Sequence, residues 1–134
     1  MKITIPVSLG ELYDKLSILE IKIANMNSPE KIVNVINEYK QLREIADKYP
    51  IDDKLYVRLK ELNEHIWNIE DGTREEERKK SWGQTFIDLA RSVYIFNDKR
   101  AELKKDINRK YGSEIIEEKS YKDYNRPFAN EKNN

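Results

Sequence analysis

The chain has 134 residues, of which 38% are hydrophobic and 37% are charged. Its 25 basic and 25 acidic residues balance, so no overall field attracts nucleic acid or an anionic membrane. The absence of cysteine excludes disulfides and thiolate chemistry. The length predicts one domain, and the high charged fraction suits long helices with narrow apolar stripes.

No apolar run approaches the roughly 18 residues that a membrane-spanning helix needs. The residues after Met1 lack the pattern of a signal peptide. We therefore expect a cytoplasmic protein with neither a membrane nor a nucleic acid as its partner. Four glycines and four prolines leave little room for β-turns, which favours helices.

The N-terminal residues 2–7 alternate between polar and apolar side chains, which predicts a short strand-like segment. Pro6 lacks a backbone N–H and would confine such a strand to the edge of a sheet. Ile115 and Ile116, near the other end of the chain, are the apolar pair that could join it. Such pairing would tie the two ends of the domain together.

Two helices are predicted over the first third of the chain. Ser8 and Glu11 have the spacing of a capping box, in which the two side chains satisfy free N–H groups at a helix start. This first helix ends at Asn27. Ser28 caps a second helix, because the proline that follows it is favoured at the first helical position. Pro50 closes the second helix.

The third predicted helix begins at a cap supplied by Asp52 or Asp53. Gly72 is a plausible stop for this helix. Residues 73–80 contain no apolar side chain. They therefore form either a solvated extension of the helix or the connection to the next one.

The fourth predicted helix is the longest and runs from Ser81 to Tyr111, with apolar residues at every third or fourth position. Ser81 and Gln84 have the capping-box spacing. Gly112 stands where a left-handed residue would end the helix. Arg100 occupies a position in the apolar stripe where another apolar residue is due.

The shared spacing of the helices predicts an all-α fold, an antiparallel bundle of four long helices with short connections. We assign residues 1–121 to this single domain and residues 122–134 to a polar, flexible tail. Further aromatic residues lie beside the apolar stripes: Tyr39, Tyr49, Trp67 and Tyr94. One copy would leave part of this surface uncovered, so we expect a homodimer through helices.

Arg100 has two interpretations, because a guanidinium in an apolar stripe must be paired or reach water. If helices three and four form a hairpin about residues 76–77, Arg100 lies level with Asp53. The structural interpretation is an ion pair with Asp52 or Asp53 that sets the register of the two helices. The functional interpretation is an arginine that binds an anion.

A second polar group lies on helix three, where six residues follow one another at intervals of three and four: Tyr56, Lys60, Asn63, Trp67, Glu70 and Arg74. Together with Asp71, this stripe could form one wall of a ligand pocket. The alternative is the rim of a helix–helix contact with Trp67 as its anchor.

His65 is the only histidine in the chain. A zinc site needs further nitrogen or sulfur ligands, and a di-iron site in a helical bundle needs two Glu-x-x-His pairs. No glycine-rich phosphate loop or serine elbow is present either. The sequence therefore predicts no metal, no cofactor and no catalytic nucleophile.

Three blocks of the sequence carry a family resemblance: the opening IPVSLGEL with DKL and LEIK, a middle block around Asn63 and Trp67, and the ending with NDKRA, LK, IN, GS and EEKSY. In these blocks the chain resembles a family of small, uncharacterised bacterial and phage proteins, classed as a domain of unknown function. The resemblance implies no established activity. It includes Asn97, Arg100 and the pair Glu70 and Arg74.

Two functions remain open. The first is a non-enzymatic module that associates with itself or with an unidentified protein partner. In the second, Arg100 and Lys104 hold a small anionic molecule while Asn97 orients it, and Glu70 or Asp71 serves as acid or base if the site is catalytic. A concave pocket that joins Arg100 and Asn97 with access to water would favour the second function. A closed pair between Arg100 and an aspartate cap of helix three would favour the first.

Overall fold

The computed structural model describes residues 1–125 and is all-α, as predicted. Four helices lie within this range: α1 (Leu9–Asn25), α2 (Pro29–Ala46), α3 (Asp53–Arg78) and α4 (Gln84–Lys110). Residues 126–134 of the predicted flexible tail lie outside the described range.

The predicted N-terminal strand does not form, since residues 1–125 contain no β-strand. Ile3 and Ile5 remain 76% and 65% exposed, and Ile115 and Ile116 are about two-fifths exposed without pairing to them. The physical reason is that a strand needs a partner to bond its backbone. Pro6 also removes one of the N–H groups that a ladder would use.

α1 is the central helix, because it packs against each of the other three. α3 and α4 form an antiparallel hairpin on one side of α1, while α2 packs against α1 alone. Each of the first three helices begins at a side-chain cap, as predicted, from Ser8, Ser28 and Asp52. These caps satisfy N–H groups that a helix cannot satisfy internally.

The hydrophobic core lies where α1 meets the other helices. Its buried members come from all four helices: Leu12, Tyr13, Leu16, Ala46, Leu59, Leu103 and Ile107. Most of these positions belong to the apolar stripes that the sequence predicts. Burying a leucine or isoleucine side chain of this kind contributes about 2 kcal/mol.

Gly72 does not end α3, which continues to Arg78. Of the two alternatives predicted for residues 73–80, the helical extension is correct as far as Arg78, and Lys79 and Lys80 form the turn. The stop is formed later, where Lys80 adopts a left-handed conformation with φ of 56°. The N–H of Ser81 then bonds the carbonyl oxygen of Glu76 at 2.9 Å, an arrangement that satisfies a terminal carbonyl.

The predicted cap of α4 by Ser81 is wrong, because Ser81 lies in the turn that ends α3. The Ser81 N–H belongs to the end of α3, and α4 begins at Gln84 after Gly83, with no side-chain cap. Trp82 lies in the turn and is 56% exposed. Its indole Nε1 donates to the carboxylate of Glu77 at 2.8 Å.

The later turn shifts the register of the hairpin by several residues from the one predicted about residues 76–77. Arg100 consequently lies beside Asn63 and not beside Asp53. Because α3 is longer than predicted, every residue of α4 meets a residue further along α3.

Gly112 ends α4 as predicted, with φ of 67°. The N–H of Ser113 bonds the carbonyl oxygen of Asn108 at 2.8 Å. The Ser113 hydroxyl accepts a hydrogen bond from the N–H of Leu9 at 3.1 Å. The end of α4 is thereby fastened to the start of α1.

The close approach of α1 to α4 depends on Gly10. Its N–H donates to the side-chain oxygen of Asn108 at 2.7 Å. A Cβ atom at this position would lie 2.6 Å from the backbone carbonyl oxygen of Lys104. The absence of a side chain therefore allows the two backbones to pack this closely.

The α3–α4 hairpin is longer than α1 and extends beyond it. At the end of α1, Asn25 shares a small cavity with Trp67 and Asn68 of α3. The ten remaining residues of α3 and the first turns of α4 lie past this level. Apolar side chains here are only partly covered, and Ile87 is 47% exposed.

Candidate functional site

A network of buried polar side chains joins α1, α3 and α4. Asn63 is 3% exposed, and its Nδ2 donates to Asp14 Oδ1 at 2.8 Å and to Ser17 Oγ at 2.7 Å. Its Oδ1 accepts from Arg100 Nη1 at 3.0 Å. One asparagine thus links the central helix to the arginine that interrupts the apolar stripe of α4.

Lys104 lies one turn after Arg100 and is surrounded by carboxylates. Its Nζ is 2.6 Å from Glu11, 3.6 Å from Asp14 and 3.0 Å from Glu117. Burial alone would lower the pKa of Lys104, but the hydrogen bonds to Glu11 and Glu117 and the charge of Asp14 outweigh it and raise the pKa. We call Lys104 and these three carboxylates the Lys104 cluster.

Three carboxylates around one ammonium leave the Lys104 cluster with a net negative charge. The predicted role of Lys104 in holding an anion is therefore not supported by its surroundings, because the ammonium is already committed to Glu11, Asp14 and Glu117. The cluster instead attaches the segment after α4 to α1 and α4.

Arg100 and Asn97 meet as the functional interpretation predicts. Arg100 Nη2 donates to Asn97 Oδ1 at 3.0 Å. No carboxylate within residues 1–125 lies at ion-pair distance from Arg100, and the ion pair predicted with Asp52 or Asp53 is wrong. Asp52 instead caps α3 and lies 3.9 Å from Lys110, as the shifted register requires.

A cavity of about 410 Å³ opens beside Arg100 and Asn97. One wall is the face of α4 from Tyr94 to Lys104, and the other is the segment 119–124, which folds back along α4. The remaining wall residues include Asp98, Ala101, Lys119 and Lys122. We call this space the Arg100 cavity.

Three tyrosines give the Arg100 cavity an aromatic rim: Tyr94, Tyr121 and Tyr124. The rings of Tyr94 and Tyr124 lie 5.0 Å apart at an angle of 58°. Partial desolvation, followed by the interaction of its hydroxyl with the nearby carboxylate of Asp98, raises the pKa of Tyr124. The cavity therefore combines a guanidinium, a carboxamide and tyrosine rings.

The helix-three stripe does not line this cavity. Trp67 belongs to the separate small cavity at the end of α1. Glu70 forms an ion pair with Arg74 at 2.6 Å on the surface, and Asp71 is exposed. The acid or base role proposed for Glu70 or Asp71 at the arginine site therefore lacks the necessary proximity.

Tyr56, the remaining predicted site residue, lies against the core. Its ring contacts Tyr13 edge-on, with centroids 5.8 Å apart. Burial, followed by the charge of the nearby Glu20, raises the pKa of Tyr56. Its hydroxyl is buried and forms no hydrogen bond with any of the described residues.

Sequence reasoning missed Asn63 and Asp14 as partners and Tyr121 and Tyr124 as cavity residues. Asn63 belongs to the predicted helix-three stripe. Its partners on α1 could not be predicted, because they are more than 40 residues away in the chain. The tyrosines after α4 have no helical periodicity that could place them. Only the folding back of residues 119–124 brings them to α4.

His65 stacks on Phe96, with ring centroids 5.1 Å apart. In the part of the chain that the structure describes, no three histidine, cysteine, aspartate or glutamate residues are arranged to hold a metal ion. Among the described helices, none has a stretch both long and apolar enough to cross a bilayer.

Similarity to known proteins identifies the family of this chain. The model of a family of unknown function, DUF6165, matches residues 1–132. This match confirms the resemblance to a domain of unknown function, while the bacterial or phage origin stays a prediction. No curated protein and no solved structure matches the chain.

Proposed function

We propose that this chain, which belongs to the DUF6165 family of unknown function, binds a small organic anion in the Arg100 cavity. The observation that carries the proposal is the position of Arg100, whose guanidinium borders an open cavity and has no carboxylate partner among the described residues. An arginine placed in this way offers paired N–H donors that match a carboxylate or phosphate.

The surroundings of Arg100 hold the guanidinium in position. Two of its N–H groups are used by the side-chain oxygens of Asn63 and Asn97, at 3.0 Å each. Asn63 is itself anchored by Asp14 and Ser17. A donor fixed before the ligand arrives loses less entropy on binding.

Asn97 supplies a second donor beside the guanidinium. Its Oδ1 accepts from Arg100, which leaves its Nδ2 group without a hydrogen-bond partner in the described structure. Both side chains border the cavity. A carboxylate placed there would accept from Arg100 and Asn97 together.

The proposal is one of binding and not of catalysis. The catalytic version of this function required Glu70 or Asp71 as acid or base, and neither borders the cavity. Asp98 is the carboxylate in the cavity wall, and it lies near the Tyr124 hydroxyl.

Titration of the full chain with sodium benzoate and with inorganic phosphate, followed by ¹H–¹⁵N NMR, tests the proposal. We expect the Asn97 side-chain amide and the backbone signals around Arg100 to shift with at least one of these probes. Arg100→Met should weaken that binding by about tenfold or more, in line with the loss of a charged hydrogen bond. Arg91→Met, which removes an exposed arginine of α4 outside the cavity, is the matched control.

The variant Asp98→Asn provides a second test, in which the affinity for the anionic probes should rise. Removing a negative charge from the cavity wall should strengthen binding of either probe. Absence of saturable binding by both probes at millimolar concentration, in the parent and in Asp98→Asn, would refute the proposal.

Self-association is the second candidate function, and the part of the hairpin beyond α1 favours it. The exposed apolar residues there include Trp82 at 56% and Ile87 at 47%. Two such hairpins packed face to face would form a four-helix arrangement, and the balanced charge of the chain gives two copies no net repulsion. A second copy of this chain is therefore the proposed occupant.

Light scattering coupled to size exclusion tests self-association directly. We expect a dimer for the parent and a shift towards the monomer for Ile87→Glu. Val33→Glu, at an exposed position of α2, should leave the mass unchanged. A monomeric parent at high micromolar concentration would exclude this candidate while leaving the ligand proposal intact.

A further inference from the structure

We infer that the Arg100 cavity selects anions that carry a planar aromatic ring, specifically aromatic monocarboxylates. This inference rests on the proposed function, since it names the ligand class of the same cavity. It is carried by a different set of residues, the tyrosines of the rim.

The rim tyrosines are largely exposed although they cluster around one cavity. Tyr94, Tyr121 and Tyr124 are 42%, 77% and 50% exposed, although all three border one cavity. Aromatic side chains contribute most to the binding free energy when a ligand or another side chain covers their faces. Three open rings around one space therefore provide a surface that a flat apolar group would cover.

The separation between charge and ring also suits such a ligand. Tyr94 precedes Asn97 by three residues on α4, a rise of about 4.5 Å along the helix. The donors of Arg100 and Asn97 lie on the α4 wall together with Tyr94, and the Tyr124 ring packs on Tyr94 from the opposite wall. A ligand with its acid group attached directly to a ring would reach both.

The volume of the cavity allows a ring of this kind. About 410 Å³ lies within the range of roughly 300–1,000 Å³ typical of small-molecule sites. A single aromatic ring with a carboxylate fits with space for one further substituent or for water.

The local charge favours one negative charge on the ligand. The cavity wall contributes Arg100, Lys119 and Lys122 against Asp98. The adjoining Lys104 cluster contributes one cation against three carboxylates. Cations and carboxylates are therefore equal in number, so no surplus of positive charge remains to stabilise a second negative charge on the ligand.

The closing experiment compares benzoate with cyclohexanecarboxylate, a probe of the same charge with a saturated ring. Phenyl phosphate is the dianionic aromatic comparison. By titration calorimetry or NMR we expect benzoate to bind about three- to tenfold more tightly than cyclohexanecarboxylate. This ratio corresponds to the binding free energy that a contact between aromatic rings contributes beyond the burial of its area. Benzoate should also bind more tightly than phenyl phosphate.

Tyr94→Leu keeps an apolar side chain while removing the ring, and it should bring the benzoate and cyclohexanecarboxylate affinities together. Tyr49→Leu, at an exposed tyrosine away from the cavity, should keep the preference. In the parent, benzoate should also cause ring-current shifts at Tyr94 and Tyr124, a readout that needs no variant.

The outcomes separate the two proposals. Equal binding of benzoate and cyclohexanecarboxylate, both dependent on Arg100, would overturn the aromatic inference and keep anion binding. Tighter binding of phenyl phosphate would overturn the preference for a monocarboxylate. Failure of all three probes to bind would overturn both proposals.

Discussion

Arg100 Nη1 donates to Asn63 Oδ1 at 3.0 Å, across the interface between α3 and α4. The partner of Arg100 is therefore a neutral amide, and not the aspartate that the structural interpretation of the sequence predicts. The guanidinium is thereby held in place while its charge stays uncompensated by a carboxylate within the described residues. The same contact joins α3 to α4 at the observed register and leaves a positive charge at the edge of the Arg100 cavity.

Asn63→Leu should destabilise the fold strongly. The substitution is close in size but leaves Asp14, Ser17 and Arg100 without their buried partner. We expect a loss of about 2–4 kcal/mol in the free energy of unfolding, measured by urea denaturation. Asn68→Leu, at an exposed position on the same helix, should change stability by less than about 0.5 kcal/mol. Equal effects for the two would contradict the buried network.

Lys104→Met should also destabilise, because it leaves the carboxylate of Asp14 buried with no cation at ion-pair distance among the described residues. Asp14 is 5% exposed and Lys104 is 7% exposed. Breaking a buried pair on one side costs about 3 kcal/mol or more. The double substitution Lys104→Met with Asp14→Asn should recover part of this loss. Thermal unfolding at one protein concentration measures both, and no recovery would speak against charge as the cause.

Acidification should remove part of the stability that Glu117 provides. The hydrogen bond from Lys104 is the main cause that holds the pKa of Glu117 below its ordinary value of 4.5. A lowered folded pKa means that this stabilisation is complete above about pH 4.5 and is lost as pH falls through the lower folded value. The difference in Tm between the parent and Glu117→Gln should therefore be constant near neutral pH and shrink in acid.

Glu44→Gln is the control for this pH dependence, since Glu44 is exposed on α2 and forms no ion pair within residues 1–125. Its Tm should follow the parent at every pH. A gap between parent and Glu117→Gln that widened in acid would have the wrong sign for a lowered folded pKa.

Gly10→Ala should destabilise, although alanine is normally the better helix former. The added Cβ would lie 2.6 Å from the carbonyl oxygen of Lys104, which is backbone and cannot rotate away. We expect a loss of about 1–3 kcal/mol from the forced separation of α1 and α4. At Gly72 the nearest atom is the tip of the Leu89 side chain at 3.2 Å. Gly72→Ala should therefore stay within about 1 kcal/mol of the parent.

Lys80→Gly should stabilise the protein. Lys80 has φ of 56°, a left-handed conformation that costs a residue with a Cβ about 1 kcal/mol. The expected rise in Tm is about 3–5 °C by calorimetry. Lys79→Gly, one residue earlier with φ of −78°, should give no gain. A fall in Tm for Lys80→Gly would show that the lysine side chain contributes more than its backbone strain costs.

Much of the fold follows from local sequence. The caps at Ser8, Ser28 and Asp52 and the left-handed Gly112 are confirmed. Each depends on residues within one helical turn of one another. The misplaced α3–α4 turn shows where local signals compete, because Gly72 looks like a stop while Lys80 is the residue that takes the left-handed conformation.

The candidate site follows from sequence only in part. The spacing of Asn97 and Arg100 on one helix predicts that they meet, and they do. The neutralisation of Lys104 could not be predicted in this way, because Glu11 is 93 residues distant in the chain.

The sequence alone determined an all-α protein, its helix starts and the anomalous position of Arg100, since helical periodicity and caps are properties of neighbouring residues. Only the tertiary structure decided the register that joins Arg100 to Asn63, the carboxylates that occupy Lys104, and the return of residues 119–124 along α4. These features depend on which surfaces pack together, because a shift of a few residues in the hairpin turn changes every partner along two helices.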